Sequence, residues 1–210
     1  MKEGKIQVLD SPIAQVALTT LRHRESNSIQ FRSAMEQLSR CLAFLSGSWR
    51  QASEIAVPTP LETTKGLHYD HPLCLVPVLR AGLGLVSSFE LFYPEAVIGH
   101  VGLARDEATL EAKTYLDRLP LHLDEHEVMV LDPMLATGHS AGAALDLVKA
   151  KGASRILFIS ALAAPEGIEY LQKAHPDVDL ITGVIDRELN DSGYILPGLG
   201  DAGDRLFGTL

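Results

Sequence analysis

The chain has 210 residues, 46% of them hydrophobic and 21% charged, and its formal net charge is −9. Such a length and balance suit one globular domain with a substantial core and exclude a disordered or fibrous chain. The acidic surplus argues against nucleic acid held on a general basic surface, but local arginines and helix N-termini can still hold an anionic small molecule.

In chain order, the opening MKEGKIQVLD has no apolar stretch, so no secretory signal is expected. Ser11-Pro12 reads as an N-cap with proline at the first helical position, predicting a helix to about Arg22. Phe31, Ala34, Met35, Leu38, Cys41, Leu42 and Leu45 recur at three- and four-residue spacing, a second helix ending near Gly47. Glu54–Pro60 and Gly66–Tyr69 read as short strands. The most apolar run, Leu73–Leu79, is too short to span a membrane and contains Pro77. Cys41 and Cys74 lie in apolar contexts with no CxxC pairing, so free thiols and a reducing, cytoplasmic setting are expected.

From Leu73 strands and helices alternate. Strands are predicted at Leu73–Leu79, Ala96–Leu103, Val128–Leu131, Arg155–Ala161 and Asp179–Ile185, with helices at Leu83–Phe92, Ser140–Lys151 and Glu166–Ala174. Near-continuous apolar strands separated by helices imply an α/β fold with a parallel central sheet flanked by helices, here as a single domain over residues 1–210. The N-terminal helices and the last segment are expected to form a hood or an oligomer contact. Gly193–Thr209, GYILPGLGDAGDRLFGT, holds five glycines and a proline and fits no single regular element, a composition suited to backbone that approaches a ligand closely.

The stretch VLDPMLATGHS carries the chemistry. Ligands of open parallel sheets bind beyond the carboxyl ends of the strands, and the strand before Asp132 places this acid there. Thr137, Gly138, His139 and Ser140 follow at the start of a helix, where free N–H groups and the helix dipole favour phosphate. A carboxylate repels phosphate but accepts hydrogen bonds from sugar hydroxyls, so the pair suggests a phosphorylated sugar. A plain turn followed by an ordinary helix start is the alternative reading of these residues. Neither a Walker A loop nor a GxGxxG fingerprint is present. His122 and His126 stand four apart in an acidic turn before a strand and read as exposed, and no cluster resembles a protein-built metal cage.

VLDPMLATGHS resembles the loop of type I phosphoribosyltransferases that binds 5-phospho-α-D-ribose 1-diphosphate (PRPP). With proline after the acid it is similar to the uracil phosphoribosyltransferase family. Val76–Gly84, GLARDEATLEAKTYLDRLP, AAPEGI, KAHPDV and the C-terminal GYILPGLGDAGDRLFGT agree with that family across nearly the whole chain. The resemblance implies conversion of uracil and PRPP to uridine monophosphate and diphosphate. It implies catalytic roles for Arg80, Arg105 and Asp201. PRPP would meet Arg80, Arg105, Asp132, Pro133, Met134, Leu135, Ala136, Thr137, Gly138, His139, Ser140 and Asp201. Uracil would meet Ile195, Gly200, Asp201 and Ala202, largely through backbone groups. It further implies magnesium carried in with PRPP, a homo-oligomer (dimer or tetramer), and GTP as an effector, as in some relatives. No membrane or nucleic-acid partner is expected.

Residues Arg105–Leu119 are expected to form a lid over PRPP. Ala104 and Ala112 stand where relatives usually carry tyrosine and proline, which leaves that lid less constrained. His139 stands where most relatives have glycine, and mild crowding of the 5′-phosphate is expected, so that His139→Gly would lower the KM for PRPP. A non-catalytic PRPP- or nucleotide-sensing regulator on the same fold is the competing expectation from another functional class.

Overall fold

The computed structural model describes residues 4–105 and 112–209. Among them a mostly parallel sheet carries the fold. Its strands are β1 (Ile6–Val8), β4 (Leu73–Leu79), β5 (Val97–Ile98), β6 (His100–Arg105), β7 (Ala112–Arg118), β8 (Glu127–Leu131), β9 (Met134–Leu135), β10 (Arg155–Ala163) and β11 (Asp179–Ile185). They run in the order β1-β11-β10-β8-β4-β6-β7, with β5 paired to β4 and β9 to β10. All pairs are parallel except β6 with β7. Two small antiparallel pairs stand apart: β2 (Ala52–Pro58) with β3 (Thr63–Tyr69), and β12 (Glu188–Leu189) with β13 (Ile195–Leu196).

Side-chain alternation along the central strands divides the core in two. Leu75, Met129, Leu131, Leu157 and Ile159 face one layer, and Val76, Val128, Val130 and Phe158 face the other. The first face is covered by α1 (Pro12–Arg22), α2 (Ser28–Ser46) and α3 (Leu83–Phe92); the second by α4 (His139–Ala150) and α5 (Pro165–Ala174). Burial on both faces explains why the central strands read as unbroken apolar runs.

The N-terminal helices therefore correct an expectation. They are not a hood: Phe31, Met35, Leu38 and Leu42 of α2 are completely buried in the core, each contributing roughly 2 kcal/mol of burial. The α2 start is set by a capping box. Asn27 accepts from the amides of Ile29 and Gln30, and Gln30 accepts from the Asn27 amide at 3.0 Å. Ser11 precedes α1 as expected, but Pro12 alone shapes that start, since the serine side chain makes no capping bond.

The predicted strand Ala96–Leu103 is interrupted at Gly99, whose amide still bonds to the Leu75 carbonyl. The expected lid lies partly outside the described residues; its described part, β7, is an ordinary strand against β6. Cys74 is fully buried and free, and burial pushes its thiol up to about 11. His122 and His126 flank a short 3₁₀ turn, where a His126 ring nitrogen meets the His122 carbonyl at 2.8 Å. Among the described residues no helix is long and apolar enough to cross a membrane.

Candidate active site

A cavity of about 420 Å³ opens beyond the carboxyl ends of β4 and β8. One wall is the segment from Asp132 to the start of α4; the other is the segment running from Ser192 to Gly203. The first wall is splinted to the sheet. The Asp132 amide donates to Ile159, Pro133 accepts from the amides of Ala161 and Leu162, and β9 pairs with Leu162 and Ala163 of β10. The loop is thus an extension of the sheet edge.

Asp132 lies almost wholly buried, and the Met134 amide, at 3.2 Å, is its one hydrogen-bond partner among the described residues. Among the described residues no cation stands beside it. Burial therefore raises its carboxyl to about 7, offset in part by that amide. A carboxylate so placed gains most from any ligand that donates hydroxyl hydrogens to it.

The amides of Thr137, Gly138, His139 and Ser140 carry no hydrogen bond among the described residues. Gly138 precedes α4 with φ +85°, and a side chain there would press into the Tyr170 ring. Glycine is what lets the chain turn from β9 into α4 with its amides facing outward. The result is an anion cradle at a helix N-terminus, a few residues from a hydroxyl acceptor.

On the opposite wall Ile195 is anchored in β13, and Asp201 is the N-cap of α6 (Ala202–Phe207), accepting from the Asp204 amide at 2.8 Å. Between them, the amide and carbonyl of Gly200 and the amides of Asp201 and Ala202 make no hydrogen bond among the described residues. Free peptide donors and an acceptor at a cavity wall can read the edge of a planar amide-like ring.

The structure gathers most of the expected residues here. Asp132, Met134, Leu135, Ala136, Thr137, Gly138, Ser140, Ile195, Gly200, Asp201 and Ala202 all line the cavity. Pro133 is buried behind the loop. His139 does not line the cavity: its ring stands edge-on to Tyr170, centroids 5.1 Å apart. Arg80 lies just outside, more than half exposed, with Nη2 donating to Asp204 at 3.1 Å. Asp204 is held below the usual carboxylate range, first by the Thr209 hydroxyl and then by Arg80. Arg105 ends β6, and its side chain lies outside the described residues.

Sequence reasoning missed Ala81, Leu103, Ala141, Ser192, Gly193, Tyr194 and Gly203 in the lining. Ala81 directly follows Arg80, and Ser192–Tyr194 directly precede Ile195, so adjacency was the available signal.

A switch-point cavity in a mostly parallel sheet, with an acid and an amide cradle at one strand end, defines a type I phosphoribosyltransferase architecture. A hypoxanthine-guanine phosphoribosyltransferase structure from Bacillus anthracis shares this fold, with a TM-score of 0.52 at 13% identity over 76% of this chain and 80% of that one. Closer still is the structure of the AQ2163 protein from Aquifex aeolicus, with a TM-score of 0.89 at 33% identity, covering 96% of this chain and 97% of that one. The family model for uracil phosphoribosyltransferase matches residues 8–209. A uracil phosphoribosyltransferase of Streptococcus salivarius is 44% identical over 207 residues, 98% of this chain and 99% of that protein. The chain belongs to the uracil phosphoribosyltransferase family.

Proposed function

We propose that this protein transfers the 5-phosphoribosyl group of PRPP to uracil, forming uridine monophosphate and diphosphate. The observation that carries the reading is a single cavity with a sugar-phosphate wall and a facing wall of free peptide groups. Asp132 accepts from the ribose hydroxyls, and the amides of residues 137–140 hold the 5′-phosphate. Uracil O4 accepts from a backbone amide of the 200–202 segment, and uracil N3–H donates to a carbonyl there. Cytosine would set its amino group against a backbone donor, and hydrogen-bonding sites reject such a mismatch strongly.

With both substrates held, uracil N1 bonds to C1′ as the C1′–oxygen bond to diphosphate breaks with its electron pair, and the N1 proton is released to water. The chain's contribution is alignment and fixed charge. Arg80, just after β4, and Arg105, the last residue of β6, are the cations assigned to the diphosphate in this reading, and a guanidinium stays charged while matching phosphate oxygens two at a time.

Magnesium would partly neutralise the diphosphate and would enter on it. Among the described residues no group of three or more histidine, cysteine or carboxylate side chains is placed to hold such an ion. The family resemblance extends the proposal to self-association and to GTP as an effector.

The test incubates the protein with PRPP, magnesium and labelled uracil, cytosine or hypoxanthine, at several GTP concentrations, with its assembled mass measured alongside. Uridine monophosphate from uracil alone is expected. Product from hypoxanthine, or none from any base, would overturn the reading.

A further inference from the structure

The peptide groups that would read the base sit on a glycine-rich segment, so something else must hold that segment still. Asp186 and Arg22 meet beneath it in a two-pronged ion pair: Nη1 to Oδ2 at 2.9 Å and Nη2 to Oδ1 at 2.6 Å. The carboxylate side chain is only 4% exposed. Both partners also grip Gly198. Its amide donates to Asp186 Oδ2 at 2.9 Å, and its carbonyl accepts from Arg22 Nη1 at 3.0 Å. Gly198 has φ +63°, and a side chain there would collide with the Ile195 carbonyl.

One residue further on, the Leu199 carbonyl accepts from Arg205 at 2.7 Å. Arg205 also reaches the carbonyls of Leu21 and His23 at the end of α1 and stacks over the Phe31 ring. Upstream, Leu196 is fixed by Arg187 and by pairing with β12. The Leu196 carbonyl, both polar groups of Gly198 and the Leu199 carbonyl are thus tied to α1 and the end of β11, whereas the peptide groups of Gly200 carry no hydrogen bond among the described residues where they meet the cavity. None of Arg22, Asp186 and Arg205 lines that cavity.

We propose that Arg22 and Asp186, supported by Arg205, are positioning residues for the base. By clamping both polar groups of Gly198 they set where the 200–202 peptides stand, and so control affinity for uracil more strongly than affinity for PRPP, which the family resemblance places against this segment at Asp201 alone. The reasoning is geometric. A guanidinium fork and a buried carboxylate fix a plane and a distance, and misplacing a recognition group by about an ångström costs up to about a hundredfold. The PRPP wall is splinted to β10 through separate bonds and does not depend on this clamp.

This inference rests on the uracil reading above, and its experiment separates the two. In Arg22→Ala the KM for uracil should rise at least about tenfold while the KM for PRPP stays within about twofold. Arg22→Lys, able to donate but not to form the fork, should recover part of that loss. If Arg22→Ala does not fold, Arg22→Lys and Asp186→Asn carry the same comparison, because each keeps a hydrogen-bonding partner in place. Equal changes in both KM values, or no change in folded variants, would overturn the proposal. Without substrate, backbone amide shifts across 198–202 and exchange at the Gly198 amide should change in the variants, while residues 137–140 keep their wild-type signals. An unmoved Gly198 sinks the clamp whatever the wild-type enzyme does. Absence of uridine monophosphate from the wild type sinks only the uracil reading.

Discussion

Strand β8 bears a buried acid at each end, and the two are treated in opposite ways. Glu127, at its start, has a side chain 1% exposed. It accepts from Arg50 Nε at 2.7 Å and from the Gln51 amide at 2.9 Å. Arg155 Nε stands 2.8 Å away with its N–H out of line, a charge contact and not a hydrogen bond. Arg50 itself lies over the Tyr69 ring at 3.8 Å. Asp132, immediately past the other end, is nearly as deep, yet among the described residues its side chain has one amide and no cation. A buried acid with its charge matched is architecture; one left unmatched beside a cavity is reserved for something that arrives.

The largest effect should come from Asp132→Asn. An amide cannot accept from two ribose hydroxyls as a carboxylate does, and its NH₂ opposes them. A drop in kcat/KM of about 10²–10³-fold is expected, the size seen when one preorganised polar contact is lost. Stability should move the other way. With its folded value raised from 3.8 to about 7, the acid is at ease while protonated; that ease is complete below pH 4 and disappears as pH rises through 7. Asparagine never ionises, so the variant should gain in Tm over wild type at pH 8 and show no gain at pH 4. The stake is on the order of 4 kcal/mol. For the same reason wild-type affinity for PRPP should rise with pH through about 7, since hydroxyl donors favour the ionised form. The variant should lose that dependence. A variant equally stable at both pH values would mean that Asp132 is better solvated than its surroundings indicate.

Glu127→Ala should do the reverse. Among the described residues it leaves Arg50, 2% exposed, with only Glu95 at 3.9 Å for a counter-charge. Removing one partner of a buried pair costs roughly 3–5 kcal/mol, a fall in Tm on the order of 10 °C for a chain of this size. Turnover per folded molecule should hardly change, because Glu127 stands at the far end of the strand. Thermal denaturation combined with active-site titration would check both halves; lost activity in fully folded protein would break the contrast between the two ends.

How much of this was legible beforehand follows the range of the interactions. The bounds of α1, α3, β4 and β11 fall where periodicity and capping residues put them, since those signals lie within a few residues. The Asp132–Ser140 wall was legible for the same reason: strand, acid, glycine and helix start are consecutive. Strand β1, three exposed residues on the sheet edge, shows no periodicity because only its pairing with β11 makes it a strand. Helix α6 was hidden by the glycines around it, although Asp201 is an ordinary N-cap residue. The hood expected from α1 and α2 was a misreading because an amphipathic helix shows which face is apolar, not what covers it. Arg22 with Asp186, far apart in sequence, gave no local sign at all.

The smallest expected effect concerns His139. Crowding of the phosphate would require its side chain to point into the cavity, but the ring lies against Tyr170, edge to face at 77°, and the residue is exposed. His139→Gly therefore removes no obstacle. It removes a ring contact worth roughly 0.5–1 kcal/mol and loosens the first residue of α4 by a similar amount. Since the amides of this turn form the cradle, a more mobile backbone should raise the KM for PRPP about twofold to threefold, with the KM for uracil unchanged. Steady-state kinetics with each substrate varied in turn decides the sign. A lower KM for PRPP would mean that the ring swings inward when substrate binds, and would make this position, unlike Asp132, a site where the apo geometry misleads.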